Sequence, residues 1–199
     1  MTASDETLAL LRELNHRVKN NFQIIASLIN LKKRVAEPSA REEIRFIEEH
    51  VTAMAVAYRL VYATGSMAEV AAGDLLPEIV SAIRVVSGLS ADQVMFRGTG
   101  LTGMIGLDQA IALGLYLAVS LPPYFDFALA NRRQVLVTLE TTSGNHVISI
   151  GGDWREGVAF DFLRQKLMTA YVRQLTATSH ADQPDGCLRL QIPASVPQI

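Results

Sequence analysis

Residues Asp5 to Val35 contain no proline and no glycine, and this stretch limits the fold more than any other feature. Leu8, Leu11, Val18, Phe22, Ile25 and Ile29 recur at alternating three- and four-residue steps, with Asn15 in the one vacant step. That is the seam of a long amphipathic helix. Leu14 and Leu28 widen the stripe, which suits a bundle with several neighbours better than a two-stranded coil.

The pattern breaks at Glu37-Pro38-Ser39 and resumes at once. Ser39 and Glu42 have capping-box spacing, so a second helix is expected from Ser39. Ile44, Ile47, Val51, Met54, Tyr58 and Val61 carry its seam, and Gly65 is a fitting stop. Two helices with matching seams and a short connection pack antiparallel. Alone they leave wide apolar faces uncovered, so a second copy completing a four-helix bundle is expected.

Residues 66–72 read as a linker, and the rest of the chain mixes helix and strand. Helices are expected over Asp74–Val86, Leu107–Leu121 and Gly157–Ala177, with Pro122-Pro123 as a hard stop for the middle one. Strands are expected over Gln93–Arg97, Gln134–Glu140, His146–Ile150 and Cys187–Ile192, with Ser143-Gly144-Asn145 turning a hairpin. The fold class is therefore α+β. A helical hairpin (residues 1–65) precedes a small α/β sandwich (residues 66–199).

Composition narrows the function. The 199 residues are 49% hydrophobic and 19% charged, too apolar for disorder. A net charge of −2 excludes a globally basic nucleic-acid binder. The lone Cys187 excludes a disulfide framework and fits a reducing, cytoplasmic setting. Acids in MTASDETLALL exclude a signal peptide, and Ile105–Leu121, interrupted by Asp108, Gln109 and Ser120, reads as a core helix rather than a membrane span. His50 is expected to be solvated or paired with a carboxylate, His146 to open a strand and His180 to lie in a loop. None of these has helical metal-ligand spacing, so no metal site is expected. Trp154 is expected to be a packing or partner anchor.

The chemistry-bearing residues lie on the first helix. Arg12, His16, Lys19, Asn20, Gln23 and Ser27 form one polar strip off the heptad seam. A neutral imidazole exposed there is a nucleophile at physiological pH. Lys19 and Asn20, one turn on, are placed to steady an oxyanion carried by His16. The helix carries six Lys plus Arg against three Asp plus Glu, which favours an anionic group.

Glu13-Leu-Asn-His-Arg-Val-Lys-Asn-Asn-Phe-Gln-Ile-Ile-Ala-Ser-Leu-Ile-Asn-Leu31 resembles the phosphoacceptor box of sensor histidine kinases with a His-Arg-x-x-Asn signature. The second helix, with Met54, Tyr58, Leu60 and Tyr62, is similar to that family's second dimerisation helix. The resemblance implies that His16 is the phosphorylated histidine, that Arg17, Lys19 and Asn20 belong to the active box, and that the hairpin forms a homodimer. The region after the hairpin resembles that family's Bergerat-type ATPase domain in element order. Leu107–Leu115 is similar to the start of its N-box helix, which the family continues with Asn-Glu-Leu and a second Asn to hold Mg²⁺ and phosphates. This chain continues Tyr116-Leu-Ala-Val-Ser-Leu-Pro-Pro123 instead. Ile150–Gly157 keeps Asp153 but not the Asp-x-Gly-x-Gly spacing, Asp161–Met168 has no glycine, and the lid before the strand at Gln134 is missing.

The resemblance thus implies a stand-alone histidine phosphotransfer protein with a degenerate ATPase domain. It would relay a phosphoryl group between receiver-domain aspartates through His16. It would bind no cofactor, Mg²⁺ coming with the receiver, and would have receiver domains and a sensor histidine kinase as partners, with no nucleic acid or membrane. The alternatives are an ATP-dependent histidine kinase with a cryptic nucleotide site and a non-catalytic pseudokinase interaction module.

Overall fold

The computed structural model describes residues 3–63, 69–99, 103–142, 144–155, 157–181 and 186–193; the side chains of residues 3–12, 14, 15, 63, 99 and 142 lie outside the description. Helices α1 (Ala3–Val35) and α2 (Arg41–Ala63) form the expected hairpin. Contacts between Lys33 and Glu48 and between Phe22 and Tyr58 fix it as antiparallel. Pro38–Ala40 is a 3₁₀ turn, so Ser39 lies inside the turn and does not cap α2. Gly65 and residues 66–68 of the expected linker lie outside the described residues, and residues 69–71 are strand β1.

Then come α3 (Ala72–Val86), β2 (Val94–Thr99), β3 (Met104–Gly106), α4 (Leu107–Asn131), β4 (Val135–Thr142) and β5 (Asn145–Gly152). The chain ends with α5 (Phe162–Gln174), β6 (Thr178–His180) and β7 (Leu188–Pro193). Strands β2-β4-β5-β7-β6 form one sheet, parallel only at β2-β4, and β1 pairs antiparallel with β3. The β4-β5 hairpin aligns Thr142 with Asn145, and Gly144 supplies the positive φ of 93° that so short a loop requires. Alternate residues of the sheet, Val135, Val137, Leu139, Ile148, Ile150, Leu188, Leu190 and Ile192, point into the core.

Helix α4 corrects the expected stop at Leu121: it runs on through Pro122 and Pro123 to Asn131. A proline at position 123 supplies no N–H for the carbonyl of Val119. Arg164, buried at the start of α5, donates to that carbonyl at 2.9 Å. The same guanidinium lies 5.3 Å from the Phe46 ring centre on α2, so one side chain ties three helices together. Helix α5 is shorter than the expected Gly157–Ala177; it starts after Asp161, whose carboxylate accepts from the Arg164 backbone N–H at 2.8 Å.

Helix α2 is sandwiched between α1 and the pair α3–α4, and its residues Ala53, Val56, Ala57 and Val61 join one core with α3, α4 and the sheet. Its inner face is thus covered within the chain rather than by a second copy. Ala53 and Gly114 permit the close approach: a Cβ on Gly114 would sit 3.3 Å from the Ala53 carbonyl oxygen. The seam read for α2 shifts accordingly, and Ile47 is exposed. On the outer side of α1, Ile24, Leu28, Leu31 and Val35 are exposed as well.

Candidate functional site

Between the middle of α1 and the C-terminal half of α2 lies a groove of about 530 Å³. From α1 it is lined by His16, Val18, Lys19, Phe22, Gln23 and Ala26, and from α2 by Val51, Thr52, Ala55, Val56, Tyr58, Arg59 and Tyr62. Phe22 meets Tyr58 at 5.4 Å between ring centres, and Tyr58 stacks on Tyr62 at 5.9 Å, giving the groove an aromatic floor. His16 and Lys19 are exposed at its rim. No carboxylate is among the described lining residues, so the charged side chains that border this mostly apolar groove, Lys19 and Arg59, are cations.

The polar strip is therefore divided. His16, Lys19 and Gln23, expected off the heptad seam, border the groove between α1 and α2. Arg17 and Asn20 are exposed and do not line it; Arg17 is paired along the helix with Glu13 at 2.8 Å. Ser27 bonds back to the Gln23 carbonyl at 2.8 Å. The side chain of Arg12 lies outside the described residues. Arg59, which the sequence did not single out, is the cation α2 contributes. It faces the same groove as His16 and Lys19 and pairs with Glu78 of α3 at 2.7 Å. Nothing in the spacing along α1 points to a cation supplied by another helix.

His50 and His146 are held within the fold. His50 Nδ1 is 2.7 Å from the Phe46 carbonyl and its ring lies tilted against Phe46 at 4.3 Å between centres, so it bonds to backbone rather than to a carboxylate; burial lowers its pKa. His146 is buried beside Thr141 Oγ1 at 2.9 Å, and burial lowers its pKa as well. His180 lies on β6 rather than in a loop. No three metal-ligating side chains converge among the described residues.

The segment of α4 from Tyr116 to Leu121 is wholly buried. It holds one titratable group, the Tyr116 phenol, which burial pushes well above its ordinary pKa and which lies 2.9 Å from Ser179 Oγ. Asp153, after β5, is exposed and paired with Arg133 at 2.9 Å. The Trp154 indole packs back onto Gly152, filling the space a Cβ there would take, and lies 5.0 Å from the Phe127 ring. A second cavity, about 410 Å³, opens where α2, α4 and α5 meet. Its charged lining is Glu42, Asp126, Asp161 and Arg164. Asp126 is held by a bidentate bond from Arg45, at 2.9 and 2.8 Å.

Comparison with known proteins shows what the chain is similar to. Residues 13–86 match a family described as "Histidine kinase". The whole chain has the fold of solved histidine kinase domains. It resembles the histidine kinase domain of the blue-light activated histidine kinase from Erythrobacter litoralis with a TM-score of 0.61 and 21% identity, over 96% of this chain and 94% of that one. Against a longer structure of the same Erythrobacter protein the TM-score is 0.58 at 22% identity, over 98% of this chain and 61% of that one. No curated protein matches the chain. The α+β architecture, helices first and sheet after, is thus that of histidine kinase domains, with the family match beginning three residues before His16.

Proposed function

We propose that the chain is a histidine phosphotransfer protein of a two-component phosphorelay, with His16 as the phosphoacceptor. A phosphorylated receiver docks against α1 and presents its acyl phosphate. A ring nitrogen of His16 attacks phosphorus in line, the P–O bond to the aspartate breaks, and the carboxylate leaves. A second receiver aspartate later reverses the step. Such transfer depends mainly on positioning and charge stabilisation. Lys19 steadies the phosphoryl oxygens. Arg17 and Asn20, on the outer side of α1, face the docking receiver instead. Mg²⁺ belongs to the receiver's own site.

The observation that favours relay over ATP-driven phosphorylation is the burial of Tyr116–Leu121. Where the resemblance expects amides and a carboxylate facing metal and phosphates, this helix presents apolar core. Among the described residues, two further features weigh against a nucleotide. Trp154 fills the space over Gly152, and the cavity beside α5 is lined by Glu42, Asp126 and Asp161, which outnumber Arg45 on Asp126 and an Arg164 committed to the Val119 carbonyl. Like charges there repel a polyphosphate. Homodimerisation through Ile24, Leu28, Leu31 and Val35, on the C-terminal part of the outer face of α1 and clear of the His16 end where the receiver docks, and a cytoplasmic setting complete the reading.

Titration of the protein with ATP and Mg²⁺, followed by calorimetry, tests the second half of this proposal. The expected result is no binding at millimolar nucleotide. Saturable binding with label transferred from ATP to His16 would make the chain a kinase.

A further inference from the structure

We propose that Arg59 is a phosphoryl-binding residue: Glu78 holds it until His16 carries a phosphoryl group, and it then turns onto that group. The inference rests on the reading of His16 as phosphoacceptor. A phosphoryl group on His16 adds about two negative charges to one side of the groove. Lys19 is the one cation on α1 that borders the groove with His16 among the described residues, and Arg59 answers it from α2.

The geometry of the present partner explains the exchange. Arg59 and Glu78 meet at 2.7 Å with side chains 48% and 53% exposed. A pair this exposed contributes little to stability and is easily traded. A dianionic phosphoryl group offers the planar guanidinium a bidentate partner with more charge than a single carboxylate. Arg17 is not equivalent, because it is tied to Glu13 and does not line the groove. Phosphorylation of His16 would thus also release Glu78, and with it one tie between α2 and α3.

The test uses phosphoramidate as a small-molecule donor to the full chain. The imidazole nitrogen forms the new N–P bond, the donor P–N bond breaks, and ammonia leaves. Phosphohistidine is followed by ³¹P NMR in wild type, His16→Ala, Arg59→Ala, Arg59→Lys and Glu78→Gln. Wild type should become phosphorylated and His16→Ala should not, which checks the underlying reading separately. Arg59→Ala should be phosphorylated about tenfold more slowly. Its phosphoryl ³¹P resonance should titrate at higher pH than in wild type, a change that a merely structural role would not produce. Arg59→Lys should recover part of the rate, and Glu78→Gln should exceed wild type. Labelling of wild type with rates and titration unchanged in Arg59→Ala and Glu78→Gln would overturn the proposal alone. No labelling of wild type would overturn it together with the phosphoacceptor reading.

Discussion

Glu49 makes a pH prediction that can be worked through. Its side chain on α2 has no exposed surface. One carboxylate oxygen lies 3.4 Å from Ser87 Oγ and 3.5 Å from Arg45 Nε, and the other has no partner. Burial pushes its pKa from the ordinary 4.5 to about 7, against the pull of Arg45 and Arg164 and with a push from Asp126. A group that binds its proton more tightly when folded stabilises the fold at low pH. That stability is present below about pH 4.5 and lost as pH rises to about 7, since the unfolded chain ionises first. The full loss is about 3 kcal/mol at 1.36 kcal/mol per pH unit, a large share of a domain's typical stability. Glu49→Gln keeps the shape and removes the titration. Urea unfolding of both proteins between pH 5 and 8 cancels every other titrating group in the difference. The variant's advantage should grow by about 2–3 kcal/mol over that range. Parallel profiles would refute the burial argument.

Arg164→Met should cost about 2–4 kcal/mol in urea unfolding, because it orphans the Val119 carbonyl and removes the contact with Phe46. Adding Pro123→Ala should recover part of the loss, since residue 123 then supplies its own N–H; strict additivity would show that Arg164 does not serve that carbonyl. Gly114→Leu should destabilise by about 1–3 kcal/mol, as the Ala53 backbone already lies 3.3 Å from a Cβ there. Trp154→Ala should cost about 3–5 kcal/mol in the same assay by emptying the space over Gly152.

Local pattern made much of this molecule legible. The hairpin, α3, the β4-β5 pair and β7 follow from periodicity and turn residues in contiguous segments. What the sequence concealed is non-local. Pro122-Pro123 reads as a stop because the group that replaces the missing N–H, Arg164, lies some forty residues further on. Strands β1, β3 and β6 are three residues each and exist only through distant partners. The seam of α2 is misread because a close approach to α4 joins Ala53 to Gly114, residues that a pattern of large apolar side chains passes over. The site divides in the same way. His16 and Lys19 stand one turn apart on one helix and are visible in the sequence, whereas Arg59 reaches the groove from another helix and needs the fold to be seen.

The route of the phosphoryl group decides between relay and kinase. The decisive experiment mixes a receiver domain carrying labelled aspartyl phosphate with wild type and with His16→Ala, and then adds a second, unlabelled receiver. Label should move to wild type, never to His16→Ala, and onward to the second receiver. Label that reaches His16 from ATP but not from any receiver would contradict the relay.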